Sequence, residues 1–138
     1  ALQGDYDNAV SNLTAAIEAG VNKANFYLGQ VYGQMGDKDS SSTYFQAYID
    51  SGEADSYDLC EMGELQMNSG DYDTAVSFFN AALALDSVPN SQKVMKNLII
   101  AYEYSGDFAS ARSTMEDYVD SYPNDTTAKD EYTFLLTR

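Results

Sequence analysis

The chain has 138 residues, 44% hydrophobic and 13% aromatic, enough apolar material for one domain with a real core. Its 22 acidic and 7 basic residues leave a net charge of −15, which repels phosphate backbones and anionic membrane surfaces and argues against nucleic-acid binding. Histidine is absent and Cys60 is the single cysteine, so internal disulfides, Ser-His-Asp and Cys-His nucleophile systems and the common zinc sites are excluded.

The first element is expected to follow a turn at Gly4-Asp5, with Gly4 supplying positive φ and Asp5 capping a helix. Ala9, Val10, Leu13, Ala16 and Ile17 then recur at helical spacing, up to a stop near Gly20. A second unit opens at Asn22, carries Phe26, Leu28, Gly29 and Tyr32, and turns at Gly36. Its second helix, predicted over 38–51, is the least regular, because Ser40, Ser41, Ser42 and Thr43 are mediocre helix formers. Leu59, Met62, Gly63 and Gln66 lead to a turn at Gly70, and Ala75, Phe79, Ala82 and Leu83 follow it. A longer connection, 86–91, contains Pro89, with Asn90 or Ser91 available as the next cap. Met95, Leu98, Ile99 and Tyr102 run to Gly106, then Phe108, Ala111, Met115, Tyr118 and Val119 to a stop at Tyr122-Pro123 and a cap at Asn124-Asp125. A last helix holds Ala128, Tyr132, Leu135 and Leu136, with Asp130, Glu131 and Arg138 suited to a water-facing end.

One phrase recurs through these elements: Gly4-Asp5-Tyr6, Gly36-Asp37-Lys38, Gly70-Asp71-Tyr72 and Gly106-Asp107-Phe108, with glycines 32, 34 and 36 residues apart. A period near 34 is the mark of stacked helical hairpins. Offsets from the glycine carry a steric logic. A glycine stands seven before the turn (Gly29, Gly63), an alanine five after it (Ala9, Ala75, Ala111), and a large residue nine after it (Leu13, Phe45, Phe79, Met115). The small residues allow close helix approach, and the large ones are expected to fill the space between neighbouring hairpins. Twelve after the turn, Ala16 and Ala82 alternate with Tyr48 and Tyr118.

On these residues the chain resembles the tetratricopeptide repeat family over essentially its whole length. The second unit departs from the family pattern at Lys38, Ser41 and Glu53, and the fourth at Ile99, so the joint at Gly36-Asp37-Lys38 is expected to be the least regular. The resemblance implies an all-α fold, a right-handed α-solenoid of stacked antiparallel helix hairpins. The expected division is a half repeat 1–21, repeats 22–55, 56–91 and 92–125, and a terminal capping helix 126–138, together one domain of a longer protein. It also implies a non-catalytic protein- or peptide-binding scaffold, without cofactor or metal. Chaperone-tail receptors of the family hold a carboxylate with lysines, asparagines and an arginine. Of the corresponding positions here, Phe26, Gln30, Glu61, Asn97 and Lys93, only Lys93 matches.

Motif chemistry adds little to that. The pairs Asp37-x-Asp39 and Asp71-x-Asp73 begin like calcium loops but lack the sixth-place glycine and twelfth-place glutamate, and they read as helix caps. Acidic neighbours Glu61 and Glu64 discourage a thiolate at Cys60. No stretch approaches the ~18 apolar residues of a membrane span.

In the family the first helix of each hairpin lines the concave face. The second-helix segments 3–20, 37–53, 71–86 and 107–121 each carry −3, whereas 22–35 and 90–104 are each +1, so acid is expected mostly on the convex back. Candidate groove residues are Lys23, Phe26, Gln30 and Gln34 in the second unit and Tyr57, Cys60, Glu64, Met67 and Asn68 in the third. Lys93, Lys96, Ile100, Glu103 and Tyr104 follow in the fourth, with Phe134 closing the row. The alternatives are a homodimer formed through the open face of the N-terminal half repeat, and an accessory domain of a larger enzyme. A composition rich in Asp, Ser, Thr and Tyr and poor in Lys leans toward a bacterial envelope or extracytoplasmic protein.

Overall fold

The computed structural model describes the backbone of residues 2–135 and the side chains of residues 3–132, and these residues form eight α-helices and no strand. In chain order they are α1 (Leu2–Glu18), α2 (Lys23–Gln34), α3 (Lys38–Asp50), α4 (Ser56–Asn68), α5 (Tyr72–Leu83), α6 (Ser91–Ser105), α7 (Phe108–Ser121) and α8 (Thr126–Leu135). Contacts divide the chain into two compact units, 1–54 and 55–138. In the first, α1 packs on α2 and α2 on α3. In the second, each helix from α4 to α8 packs on the next, and α4 also reaches α6.

The joints inside the hairpins are built alike. Gly70 takes φ +82°, a value that a side chain would strain, and Gly36 and Gly106 repeat it at +83° and +85°. The amide of the following aspartate donates back to a helical carbonyl at 2.9 Å in all three, Asp37 to Tyr32, Asp71 to Gln66 and Asp107 to Tyr102. That closes the orphan carbonyls of the first helix. Each aspartate then accepts from the amide three residues on, so it caps the second helix. The joint at Gly36-Asp37-Lys38 is therefore no less regular than the others, against the expectation from its sequence. Asp37 accepts from both the amide and the hydroxyl of Ser40, at 3.1 and 2.8 Å, as Asp107 does from Ser110 at 3.1 and 2.7 Å.

Two more expectations are corrected at the ends of elements. Gly4 and Asp5 lie inside α1, so the first occurrence of the phrase makes no turn. Both residues keep helical backbone, and Gly4 does not take the positive φ of the other three glycines. Asn90 stands at the N-cap of α6 without capping it. Its Nδ2 instead donates 3.1 Å to the Ser56 carbonyl and fastens the long connection to the start of α4. The expected cap at Asp125 is present, its Oδ1 accepting from the Ala128 amide at 3.1 Å. The sequence reading missed the reciprocal cap of α4, in which Asp55 and Asp58 each accept from the other's amide.

Packing follows the offsets with one change of place. A Cβ built on Gly29 would lie 2.3 Å from the Phe45 ring, and one on Gly63 would lie 2.4 Å from the Phe79 ring. Both phenylalanines are fully buried. Each ring thus rests on the glycine of its own hairpin, rather than filling the space between hairpins as its offset suggests. Ser41, in the place of the usual alanine, is buried and donates 2.6 Å to the Gly29 carbonyl, so its hydroxyl is satisfied. In the α6/α7 hairpin the pair is Ile99 and Met115, both buried in one cluster with Ala111, Tyr118 and Ala128. The side chains of Phe134, Leu135, Leu136 and Arg138 lie outside the described residues.

Candidate functional site

The first helices of the second unit, α4, α6 and α8, carry two hollows. One, of about 480 Å³, is lined by Tyr57, Cys60, Glu61, Glu64, Leu65, Asn68, Asn90 and Lys93. The other, of about 410 Å³, is lined by Lys96, Ile99, Ile100, Glu103, Met115, Tyr118, Asp125, Thr127, Ala128 and Glu131. α6 contributes to both, because Lys93 and Lys96 stand three residues apart on it and face different neighbours.

Lys93 spans to α4 and Lys96 to the cap of α8. Lys93 Nζ lies 3.2 Å from Glu64 Oε1, which holds its ammonium above the ordinary lysine range. Lys96 Nζ lies 3.3 Å from Asp125 Oδ2 and 5.7 Å from the Tyr118 ring centroid, and hydrogen bonding to Tyr118, then to Asp125, raises its pKa. Tyr118 is fully buried; its hydroxyl donates 2.7 Å to Asp125 and accepts 3.0 Å from Gln92 Nε2. The Tyr118 hydroxyl and the Ala128 amide are the leading reasons that the Asp125 carboxyl sits below its usual range. The lysine ends of both pairs are exposed, so water screens them and they orient side chains more than they stabilise the fold.

Cys60 forms part of the floor of the α4/α6 hollow but is only 2% exposed. Its thiol is 3.6 Å from Glu64 Oε1 and accepts 3.7 Å from Asn97 Nδ2. Burial and the Glu64 charge push its pKa up to about 11, which keeps it protonated and a poor nucleophile.

Five of the expected groove residues, Tyr57, Cys60, Glu64, Asn68 and Lys93, are brought together at one hollow, and Lys96, Ile100 and Glu103 at the other. Met67 and Tyr104 line neither; Tyr104 stacks on Tyr72, with centroids 5.3 Å apart. Phe26, in the first unit, is corrected. It is 3% exposed, with its ring 5.8 Å from those of both Phe45 and Tyr48, so it is core. Lys23 lies over it, with Nζ 4.7 Å from the ring centroid, while Gln30 is half-buried and Gln34 exposed. Phe134 lies outside the described side chains. Sequence reading missed Glu61, Leu65, Thr127 and Glu131. The signal was available: Thr127 and Glu131 are four apart and share a face of α8, as Glu61 and Leu65 do on α4.

Among the described residues, no group of three or more histidines, cysteines, aspartates or glutamates could hold a metal ion. No helix among them is long and apolar enough to cross a membrane.

Two hairpins with the same joint followed by a final helix, with hollows on the first-helix side, define a helical-repeat protein of the hairpin type. A family model described as tetratricopeptide repeat matches residues 3–58, and a second, YfiO, described as outer membrane lipoprotein, matches residues 52–137, more than half of the chain. The chain belongs to the tetratricopeptide repeat proteins and, by that second match, to the YfiO family. No curated protein matches it. Repeats of this kind generally mediate protein–protein contact and are typically non-catalytic scaffolds.

Proposed function

We propose that this chain is a non-catalytic binding module that takes up a protein or peptide segment along α4, α6 and α8. The observation that carries this reading is the pair of hollows on those helices, lined by an exposed tyrosine and isoleucine beside amide and charged groups. Tyr57 is 58% exposed and Ile100 41%, apolar surface that a bound chain would cover. The test is selection of a displayed random dodecapeptide library on the intact chain. Enriched peptides should bind the chain and lose affinity for the Tyr57→Ala/Ile100→Asp double variant. Failure to enrich any peptide, or equal binding to both proteins, would remove the reading.

A second reading is self-association through α1. Its apolar residues Val10, Leu13 and Ile17 are only half-buried, and Val21 beyond it is 50% exposed. Sedimentation over a hundredfold concentration range separates the two, since a monomer throughout rules out pairing. The outer-membrane-lipoprotein description of the matching family supports an envelope location. Fractionation of cells making the full-length protein tests it, and recovery with cytoplasmic markers would overturn it.

A further inference from the structure

The two hollows differ in which of their charges are already used. Among the described residues lining the α6/α8 hollow the one cation, Lys96, is committed to Asp125 and the Tyr118 ring. Asp125 is committed three times over, to Lys96, the Tyr118 hydroxyl and the Ala128 amide. Glu103 and Glu131 remain, and among the described residues neither carboxylate has a hydrogen bond or ion pair. Between them the floor is apolar: Ile99, Met115 and Ala128 are buried, and Ile100 forms an exposed lip.

We propose, building on the binding-module reading, that this hollow takes an apolar side chain of a partner segment with a lysine or arginine next to it. The apolar group would sit on Ile99, Ile100 and Met115, and the cation would answer Glu103 and Glu131. Charge complementarity decides the sign. With Lys96 and Asp125 neutralising each other, the unmatched charge at the rim is two carboxylates, so an acidic neighbour is repelled and a basic one drawn in. A volume of about 410 Å³ admits one large side chain and its backbone but not a folded domain. The α4/α6 hollow gives no such reading, because its Lys93 and Glu64 pair while Glu61 already has a partner.

The experiment is a swap of specificity. The dodecapeptide library is selected in parallel on the unaltered chain and on the Glu103→Lys/Glu131→Lys variant, with circular dichroism to establish that the variant is folded. The unaltered chain should enrich peptides with an apolar residue adjacent to Lys or Arg, and the variant peptides with Asp or Glu in that place. For one enriched synthetic peptide, Ile100→Asp should weaken binding about tenfold. Each single charge reversal should weaken it about two- to fivefold, and less at high salt. Labelled Ile99 and Ile100 methyl groups should shift on titration with that peptide. Peptides that bind Ile100→Asp as tightly as the unaltered chain but lose affinity for Tyr57→Ala would overturn this inference and leave the binding-module reading standing. An unchanged basic preference in the variant would do the same. Failure to enrich any sequence would overturn both.

Discussion

The hairpins α4/α5 and α6/α7 answer one packing problem in opposite ways. At seven before and nine after the joint, the first sets glycine against phenylalanine, Gly63 under Phe79, and the second isoleucine against methionine, Ile99 beside Met115. Three residues further along the second helix, the first hairpin has the buried Ala82 and the second the buried Tyr118, whose hydroxyl reaches out to Gln92 and Asp125. The lesson is that the family pattern constrains the sum of two side chains across the hairpin rather than either alone. A large ring needs an empty place, whereas a medium, flexible methionine needs a medium neighbour.

The largest expected effect is at the ring. Phe79→Ala should cost about 3–5 kcal/mol in denaturant unfolding, because glycine opposite leaves nothing to fill the hole. A near-neutral result would break the comparison at its root. Gly63→Ala should cost about 1–3 kcal/mol, since the new methyl would stand 2.4 Å from the Phe79 ring. Pairing Gly63→Ala with Phe79→Met should recover part of that loss, as the Ile99/Met115 hairpin does naturally; simple additivity of the two losses would show that the sites are not coupled.

Tyr118→Phe should cost about 1–2 kcal/mol, by removing one donor from Asp125 and one acceptor from Gln92. No counterpart exists in α4/α5, where the place belongs to Ala82. The smallest effect is in pH. The Asp125 carboxyl is held below its ordinary 3.8, so its contribution is fully present above that value and is lost as pH falls through the folded value. Asp125→Asn should therefore flatten the acid limb of stability against pH below 3.8, relative to the unaltered chain. Acidification also relieves the repulsion of a −15 chain, so the difference between the two proteins carries the sign, and parallel acid limbs would refute it.

Much of this was legible in the sequence because glycine and aspartate act locally. Gly36, Gly70 and Gly106 take the left-handed φ that only glycine adopts cheaply, and Asp37, Asp71 and Asp107 cap the helices that follow. Gly4-Asp5 carries the same two residues but lies inside α1 and makes no turn, so the dipeptide alone does not dictate a joint. The eight candidates that gather at the hollows were found from helical offset. Phe26 was not placed by the same rule, since offset gives a face but not what covers it, and here Phe45 and Tyr48 do. Nor does spacing reveal that a serine at an alanine site finds a carbonyl, as Ser41 does at Gly29. Charge pairing from α6 to its neighbours, Lys93 with Glu64 on α4 and Lys96 with Asp125 at the cap of α8, is a tertiary fact with no local signature.

The unlike pairs Gly63/Phe79 and Ile99/Met115 also bear on how the chain finds its fold. Repeats that resemble one another risk closing with the wrong neighbour while the chain is still collapsing. If α5 closed on the α6 surface meant for α7, the Phe79 ring would meet the Ile99 side chain, with no room for it. If α7 closed on α4, Met115 would lie over bare Gly63 and leave a void. Each error would carry a steric penalty that the native pairing avoids, so the small differences between repeats favour the native order of hairpins.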